Sequence, residues 1–323
     1  MRRREFFSMI SGVAAIWPFA AYSQGRIPHV GLLLNGRAVS SSDLSIAGEL
    51  KRLGYVDGRN ITYEIRAAEN DSTRLPLLAR ELAATRPDVI VGSTTQAAVA
   101  LFNATHDIPV VMTVVGDPIA LGLSGSMSRP TGNITGFTIS SPSLAAKRLE
   151  ILHSVVPELS KVAYLWVPQN PVTVLLEPQV QQAANALGIK LVSLPLKSDA
   201  DIAGAFARAD EERVTALLVE ADPLTMRFNG NIVDQCLIRD LPAMHAWPIE
   251  VRNGALMSYG PAEPENIANS ASYVDRILKG AKVAELPFEE PTDIKLVINL
   301  RTARAIGLAF PPTLLARADE VIE

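Results

Sequence analysis

"DVIVGSTTQAAVALFNATHDIPVVMTVV", residues 88–115, carries the pattern that decides the fold. A short aliphatic run, Val89 to Val91, stops at Gly92. Ser93, Thr94, Thr95 and Gln96 follow, then small apolar residues at helical spacing, then a second aliphatic run from Ile108 to Val115. Apolar runs this short, without alternation, read as strands buried on both faces. A helical stretch between two of them reads as a β-α-β unit with parallel strands. The unit recurs on both sides. "HVGLLL" from His29 is a strand and "DLSIAGELKRLGY" a helix stopping at Gly54; "NITYEIRAA" is a strand and "STRLPLLARELAATRP" a helix. After "NITGFTISS" a second series begins with helix "LAAKRLEILHSVV" and strand "KVAYLWV". It runs on through "VQQAANALG", "KLVSLPL", "DIAGAFARADEE", "TALLVEA", "IVDQCLIRD" and "LPAMHAW". Right-handed crossovers then build two α/β lobes, each a parallel sheet flanked by helices.

Composition fits two ordinary domains. The chain has 323 residues, 48% of them apolar and 20% charged, with a formal net charge of −4. No basic stripe is present to meet a phosphate backbone, which argues against a nucleic-acid partner. The first residues, "MRRREFFSMISGVAAIWPFAAYSQ", join three arginines to an apolar stretch too short to span a bilayer. Residues 1–23 are therefore expected to be an export signal of twin-arginine character, cleaved near Gln24. The single cysteine, Cys236, lies far from that segment, so neither a disulfide nor a lipid anchor is expected. It reads as a buried residue on a helix. The expected location of the mature chain is the periplasm, in soluble form.

Chemistry concentrates where strands end. Ser93 to Gln96 offer hydroxyls, an amide and backbone N–H groups at a helix start, a seat for a carboxylate; the same residues also suit capping of their own helix. Two strand ends carry Asp-Pro, Gly116-Asp117-Pro118 and Ala221-Asp222-Pro223. Each aspartate can cap a helix or face a ligand, and the matched placement favours the ligand, because open α/β sheets bind at their carboxyl edges. No phosphate-loop lysine or spaced dinucleotide glycines accompany them.

Four stretches together resemble the substrate-binding proteins of ABC transporters of the tryptophan-binding TrpX type. They are "LKRLGYVDGRNITYEIRAAENDSTRLPLLARELAATRPDVIVG", "VVGDPIALGLSGSMSRPTGNITGF", "GALMSYGP" and the closing "PFEEPTDIKLVINLRTARAIGLAFPPTLLARADEVIE". The resemblance covers the mature chain and implies a two-lobed periplasmic binding-protein fold of type I character. It implies a small-molecule ligand, an ABC permease with its ATPase subunits as partners, no cofactor, no metal, and a monomer. Lobe 1 is expected to comprise 24–137 plus 261–292, and lobe 2 residues 138–260 plus 293–323. The chain is expected to cross near Phe137-Thr138, to return near Tyr259-Gly260, and to cross again in "DIKLVINL". A ligand carboxylate would meet Ser93, Thr94 and Thr95 beside Gln96, and an ammonium group would meet Asp117 or Asp222. Thr138 would sit at the hinge, with Gln169, Asn170 and Trp247 on the second lobe's wall. The family pattern Gly-Gly-Thr-Pro is here Gly92-Ser93-Thr94-Thr95, so tryptophan is one ligand among several small carboxylates.

Two other classes share this architecture. A two-lobed racemase needs facing cysteines, and a hydrolase of this architecture a Gly-x-Ser-x-Gly elbow; the chain has neither. His29, His106, His153 and His245 show no metal-ligand spacing. The reading is therefore not an enzyme. A ligand-sensing module of a receptor or repressor shares the fold and remains the alternative.

Overall fold

The computed structural model describes residues 26–36, 46–139, 142–262 and 265–323. The export signal expected over residues 1–23 lies outside them. No described helix is long and apolar enough to cross a membrane.

The first sheet takes β1 (His29–Leu34), β2 (Thr62–Ala67), β3 (Val89–Gly92), β4 (Val110–Val115) and β5 (Ile134–Thr138). Their order is β2-β1-β3-β4-β5 and every pairing is parallel. Between the strands run α1 (Ile46–Arg52), α2 (Leu75–Ala84) and α3 (Thr95–Ala104). Residues of β3 alternate between two cores. Ile90 packs among Leu78, Leu82 and Leu101 of α2 and α3. Val89 and Val91 pack on the opposite face with Ile46 and Leu50 of α1. Burial on both faces is why these strands read as unbroken apolar runs. Gly136 in β5 is held at φ +145, and a Cβ there would lie 2.2 Å from the Met112 carbonyl oxygen. Only glycine fits.

The second sheet takes β6 (Lys161–Trp166), β7 (Lys190–Pro195), β8 (Ala216–Val219), β9 (Ala243–His245), β10 (Met257–Pro261), β11 (Ile294–Asn299) and β12 (Glu320–Ile322). Their order is β12-β11-β10-β9-β8-β6-β7. Its helices are α4 (Pro142–Val155), α5 (Pro171–Ala186), α6 (Asp201–Glu212), α7 (Pro223–Arg227), α8 (Asn229–Ile238) and α9 (Pro248–Arg252). After the chain returns come α10 (Glu265–Leu278), α11 (Leu300–Ala305) and α12 (Pro312–Leu315). One face packs Val162 and Tyr164 against α4 and α5. The other packs Ala163 and Leu165 against Ile202 and Phe206 of α6 and Ile232 and Cys236 of α8. Cys236 is buried on its helix, as its sequence context indicates.

α10 belongs with the first sheet. Its Ala271, Val274 and Ile277 share a core with Val30, Val91 and Val111. The chain thus passes between lobes three times: after β5, after β10, and through residues 289–293. These passages are laced together. Thr138 N donates to the Glu289 carbonyl at 2.8 Å, Glu289 N to that of Gly136 at 3.0 Å, and Ala262 N to that of Asp293 at 2.9 Å.

One element, β11, differs from the sequence reading in two respects. "DIKLVINL" is not itself the third passage, because most of it is β11, an interior strand of the second sheet with Leu296, Val297 and Ile298 buried. The residues just ahead of it make the crossing. β11 also runs antiparallel to β10, so the second sheet is parallel except at that pair. A chain leaving β10 must return from the other lobe before it can enter β11, and the returning strand lies alongside in the reverse sense.

Candidate functional site

Strand ends of both sheets face one another across a cleft. At the end of β3 the local bonding is dense. Thr94 takes an extended backbone and its hydroxyl accepts from Ala97 N at 3.2 Å, capping α3. Ser93 Oγ accepts from Asn35 N at 3.2 Å, and Thr95 Oγ1 from Gly116 N at 2.9 Å. The Ser93 and Thr95 hydroxyls therefore stitch the end of β3 to those of β1 and β4, while that of Thr94 serves α3. Each keeps an O–H able to donate.

Gln96 does something different. It is buried, and its Nε2 donates across the cleft to Asp222 Oδ2 at 3.1 Å. Asp222 caps α7 through Oδ1, which accepts from Leu224 N at 2.7 Å. Its Oδ2 also accepts from Asn170 Nδ2 at 3.0 Å, while Asn170 Oδ1 caps α5 through Val172 N. Asp222 is only 5% exposed. Burial is the main cause that raises its carboxyl above the usual range; the bonds from Leu224, Asn170 and Gln96 oppose the rise, and the nearby Glu220 adds to it. No cation offsets the charge among the described residues.

The lobes are in contact here. A Cβ on Gly116 would stand 2.3 Å from Val172 Cγ2 of the facing lobe, so the missing side chain is what permits this approach. Beside the contact lies a cavity of ≈ 110 Å³ formed by Asn35, Gln96, Gln169, Lys197, Asp222 and Arg227 with a few neighbours. A second cavity, ≈ 200 Å³, continues along α2 and α3 and shares Ser72, Gln96 and Gln169 with the first. Two residues of the first cavity's wall each carry a buried side-chain oxygen without a hydrogen-bond partner, Asn35 Oδ1 and Gln96 Oε1.

The remaining sequence-chosen residues are placed as follows. Asp117 is half-buried, and its Oδ1 accepts from Ile119 N and Ala120 N, both at 3.0 Å, so it closes its own turn. Thr138 lies in the hinge, its hydroxyl 3.4 Å from the Glu289 carbonyl. Gln169 Nε2 reaches toward the Lys197 carbonyl at 3.5 Å. Trp247 opens α9 half-buried, with its backbone N donating to Glu250 Oε2 at 3.0 Å, and it lines neither cavity. Gln96, Asn170 and Asp222 are thus hydrogen-bonded together, with Gln169 on the same cavity wall; Asp117, Thr138 and Trp247 line neither cavity. Sequence reasoning passed over Asn35, Lys197 and Arg227. Asn35 directly follows β1 and Lys197 closely follows β7, so inspection of every strand's carboxyl end would have found both.

Behind the cleft, β8 carries a second buried carboxylate. Glu220 meets Arg148 Nη1 at 3.2 Å and accepts from the Tyr164 hydroxyl at 3.1 Å. Arg148 Nε also donates to the Tyr259 carbonyl at 2.8 Å, tying this cluster to β10. Burial first, then the charge of Glu220, raises the Tyr164 hydroxyl, which stays a donor.

No group of three or more His, Cys, Asp or Glu that could hold a metal ion occurs among the described residues. The ABC transporter substrate binding protein family matches residues 30–322, nearly the whole chain. The chain belongs to that family. A tyrosine-binding protein of Clostridioides difficile (strain R20291) is 24% identical over 272 residues, covering 83% of this substrate-binding protein and 78% of the relative. Among solved structures, a conserved domain protein of Vibrio cholerae is 26% identical with a TM-score of 0.82, over 92% of this chain and 100% of that one. An ABC domain from Streptococcus pneumoniae in complex with L-Trp is 24% identical with a TM-score of 0.80, at the same coverage. The family is defined by binding of a substrate for transport, and the two-lobed fold is shared with these solved structures.

Proposed function

We propose that this substrate-binding protein works in the periplasm, taking up a small carboxylate-bearing ligand with an ammonium group, an amino acid in the simplest case. It closes its lobes over the ligand and presents it to an ABC permease powered by ATPase subunits. The chain acts as a monomer and carries out no reaction. One observation supports the reading above the others: Asp222 of one lobe is buried without a cation and is already hydrogen-bonded by Gln96 of the other. A charge in that position is strongly favourable only when an opposite charge joins it. An ammonium ligand would supply that charge and would be gripped from both lobes, which couples binding to closure. The hydroxyls of Ser93, Thr94 and Thr95, with their free O–H donors, suit a carboxylate nearby.

Thermal unfolding against a panel of amino acids and simple carboxylates tests this. A ligand at about 100 times its dissociation constant stabilises the fold by about 2.7 kcal/mol, a shift of several degrees. Mass spectrometry of the denatured protein identifies any molecule carried through purification. An empty protein that answers to no member of the panel would overturn the reading.

A further inference from the structure

We infer that Gln96 is the latch of the closed form: a positioning residue that joins the lobes through Asp222, so that closure is held by the chain's own contacts and does not wait for a ligand. The inference goes beyond the binding role proposed above and does not depend on which ligand is taken. The bond runs from Gln96 Nε2 of the first lobe to Asp222 Oδ2 of the second, at 3.1 Å. Both residues are buried. Because donor and acceptor both belong to the chain, the bond forms with or without a ligand.

Asp222 is aimed by its own lobe. Leu224 N donates to its Oδ1 and Asn170 Nδ2 to its Oδ2. Asn170 is fixed in turn, since its Oδ1 accepts from Val172 N at the start of α5. These bonds lie within the second lobe and survive opening. The Gln96 donor is the one that closure adds, and a hydrogen bond to a charged acceptor is stronger than one between neutral groups.

An apolar contact completes the patch. Val172 is buried, and the close approach of Gly116 to it, where a Cβ would stand 2.3 Å from Val172 Cγ2, joins the same two edges. Gly116 N donates to the hydroxyl of Thr95, the residue before Gln96. Polar and apolar contacts therefore meet at one place. Closure also has a cost. Asp222 gives up water with no cation beside it among the described residues, and Gln96 Oε1 is buried without a hydrogen-bond partner. Such groups are unfavourable when buried, so they oppose the latch and leave it able to open for a ligand to enter.

Small-angle X-ray scattering of the purified protein, freed of any carried molecule by unfolding, dialysis and refolding, is the test. It compares the parent with Gln96→Met and Gln96→Glu. Methionine keeps the length and helical preference of glutamine without the donor. Glutamate sets a second carboxylate against Asp222; two facing carboxylates repel when both are ionised and share a proton on acidification. The charged groups nearby are Glu220 next to Asp222, with Asp71, Arg80, Lys197 and Arg227 on the walls of the two cavities. All are common to the three proteins, so a difference in pH response belongs to residue 96.

The parent is expected to scatter as the closed structure does. Gln96→Met should be larger by about 1 Å, on a radius of gyration of about 19 Å for a chain of this size, at both pH values. Gln96→Glu should match Gln96→Met at about pH 7 and contract toward the parent at about pH 5. A thermal unfolding scan confirms that each variant is folded. A parent already as expanded as Gln96→Met would overturn the inference, as would a Gln96→Met as compact as the parent, or a Gln96→Glu that does not answer to pH. Each of these outcomes leaves the binding role standing, since the ligand panel tests that separately.

Discussion

Two carboxylates, Glu220 and Asp222, sit two residues apart at the end of β8 and keep opposite company. Glu220 turns to the back of the sheet, where Arg148, the Tyr164 hydroxyl and Ala221 N surround it. Asp222 turns to the cleft, where two side-chain amides and one backbone N–H meet it, all neutral. Both are buried, at 1% and 5% exposure. The chain supplies a counter-charge for Glu220 and, among the described residues, none for Asp222. The first pocket is structural; in the function proposed above, the second is where a cationic ligand gains binding energy.

The largest expected effect is in the structural pocket. Glu220→Ala leaves the Arg148 guanidinium buried without its partner and should destabilise the fold by about 3–5 kcal/mol in urea unfolding. The double change Arg148→Met/Glu220→Leu should recover most of that loss, because it removes both charges. Next comes the cleft. Asp222→Asn should weaken an ammonium ligand by about 2–5 kcal/mol in calorimetry. Asp117→Asn should change affinity by less than about 0.5 kcal/mol, since an amide oxygen can accept from Ile119 and Ala120 as the carboxylate does. Equal losses at the two aspartates would erase the distinction between them.

Gly116→Val should hold the lobes apart by colliding with Val172, raising the dissociation constant about tenfold, while the unfolding free energy without ligand moves by less than about 0.5 kcal/mol. Thr94→Ala should cost about 1 kcal/mol of stability as the α3 cap is lost, and Thr94→Ser should not. The smallest signal is in pH. Burial raises the Asp222 carboxyl in the folded chain above its unfolded value. The destabilisation by its charge is thus fully present above the folded pKa and is relieved as pH falls toward the unfolded one. Ligand-free Asp222→Asn should therefore melt higher than the parent at pH 7, and the gap should narrow on acidification.

The alternation of strands and helices was legible because a strand covered on both faces must be apolar throughout, as Val89 to Val91 are. β12 was not legible: Glu320–Ile322 is a short edge strand, partly exposed, with no run to betray it. Nor was the short helix α9, begun by a proline that reads equally as a turn, whereas the start of α7 at Pro223 with Asp222 as its cap was open to reading. At the site, Asp117 and Asp222 look alike in sequence, both at a strand end before proline. What separates them is Gln96, which comes from the other lobe and reaches only Asp222. A partnership made by tertiary packing leaves no mark in local spacing. Asn35 was within reach, since it directly follows β1, but a lone amide there draws no notice beside the hydroxyl cluster after β3.

The placement of α10 has a consequence for how the molecule is made. The face of the first sheet formed by Val30, Val91 and Val111 is covered by Ala271, Val274 and Ile277, residues synthesised only after the second lobe's β6 to β10. The lobe that begins first is therefore finished late, and its longest-range contacts are of the kind that slow folding. A nascent or truncated chain ending near residue 262 would carry that sheet with one apolar face bare, a surface open to aggregation and to proteases.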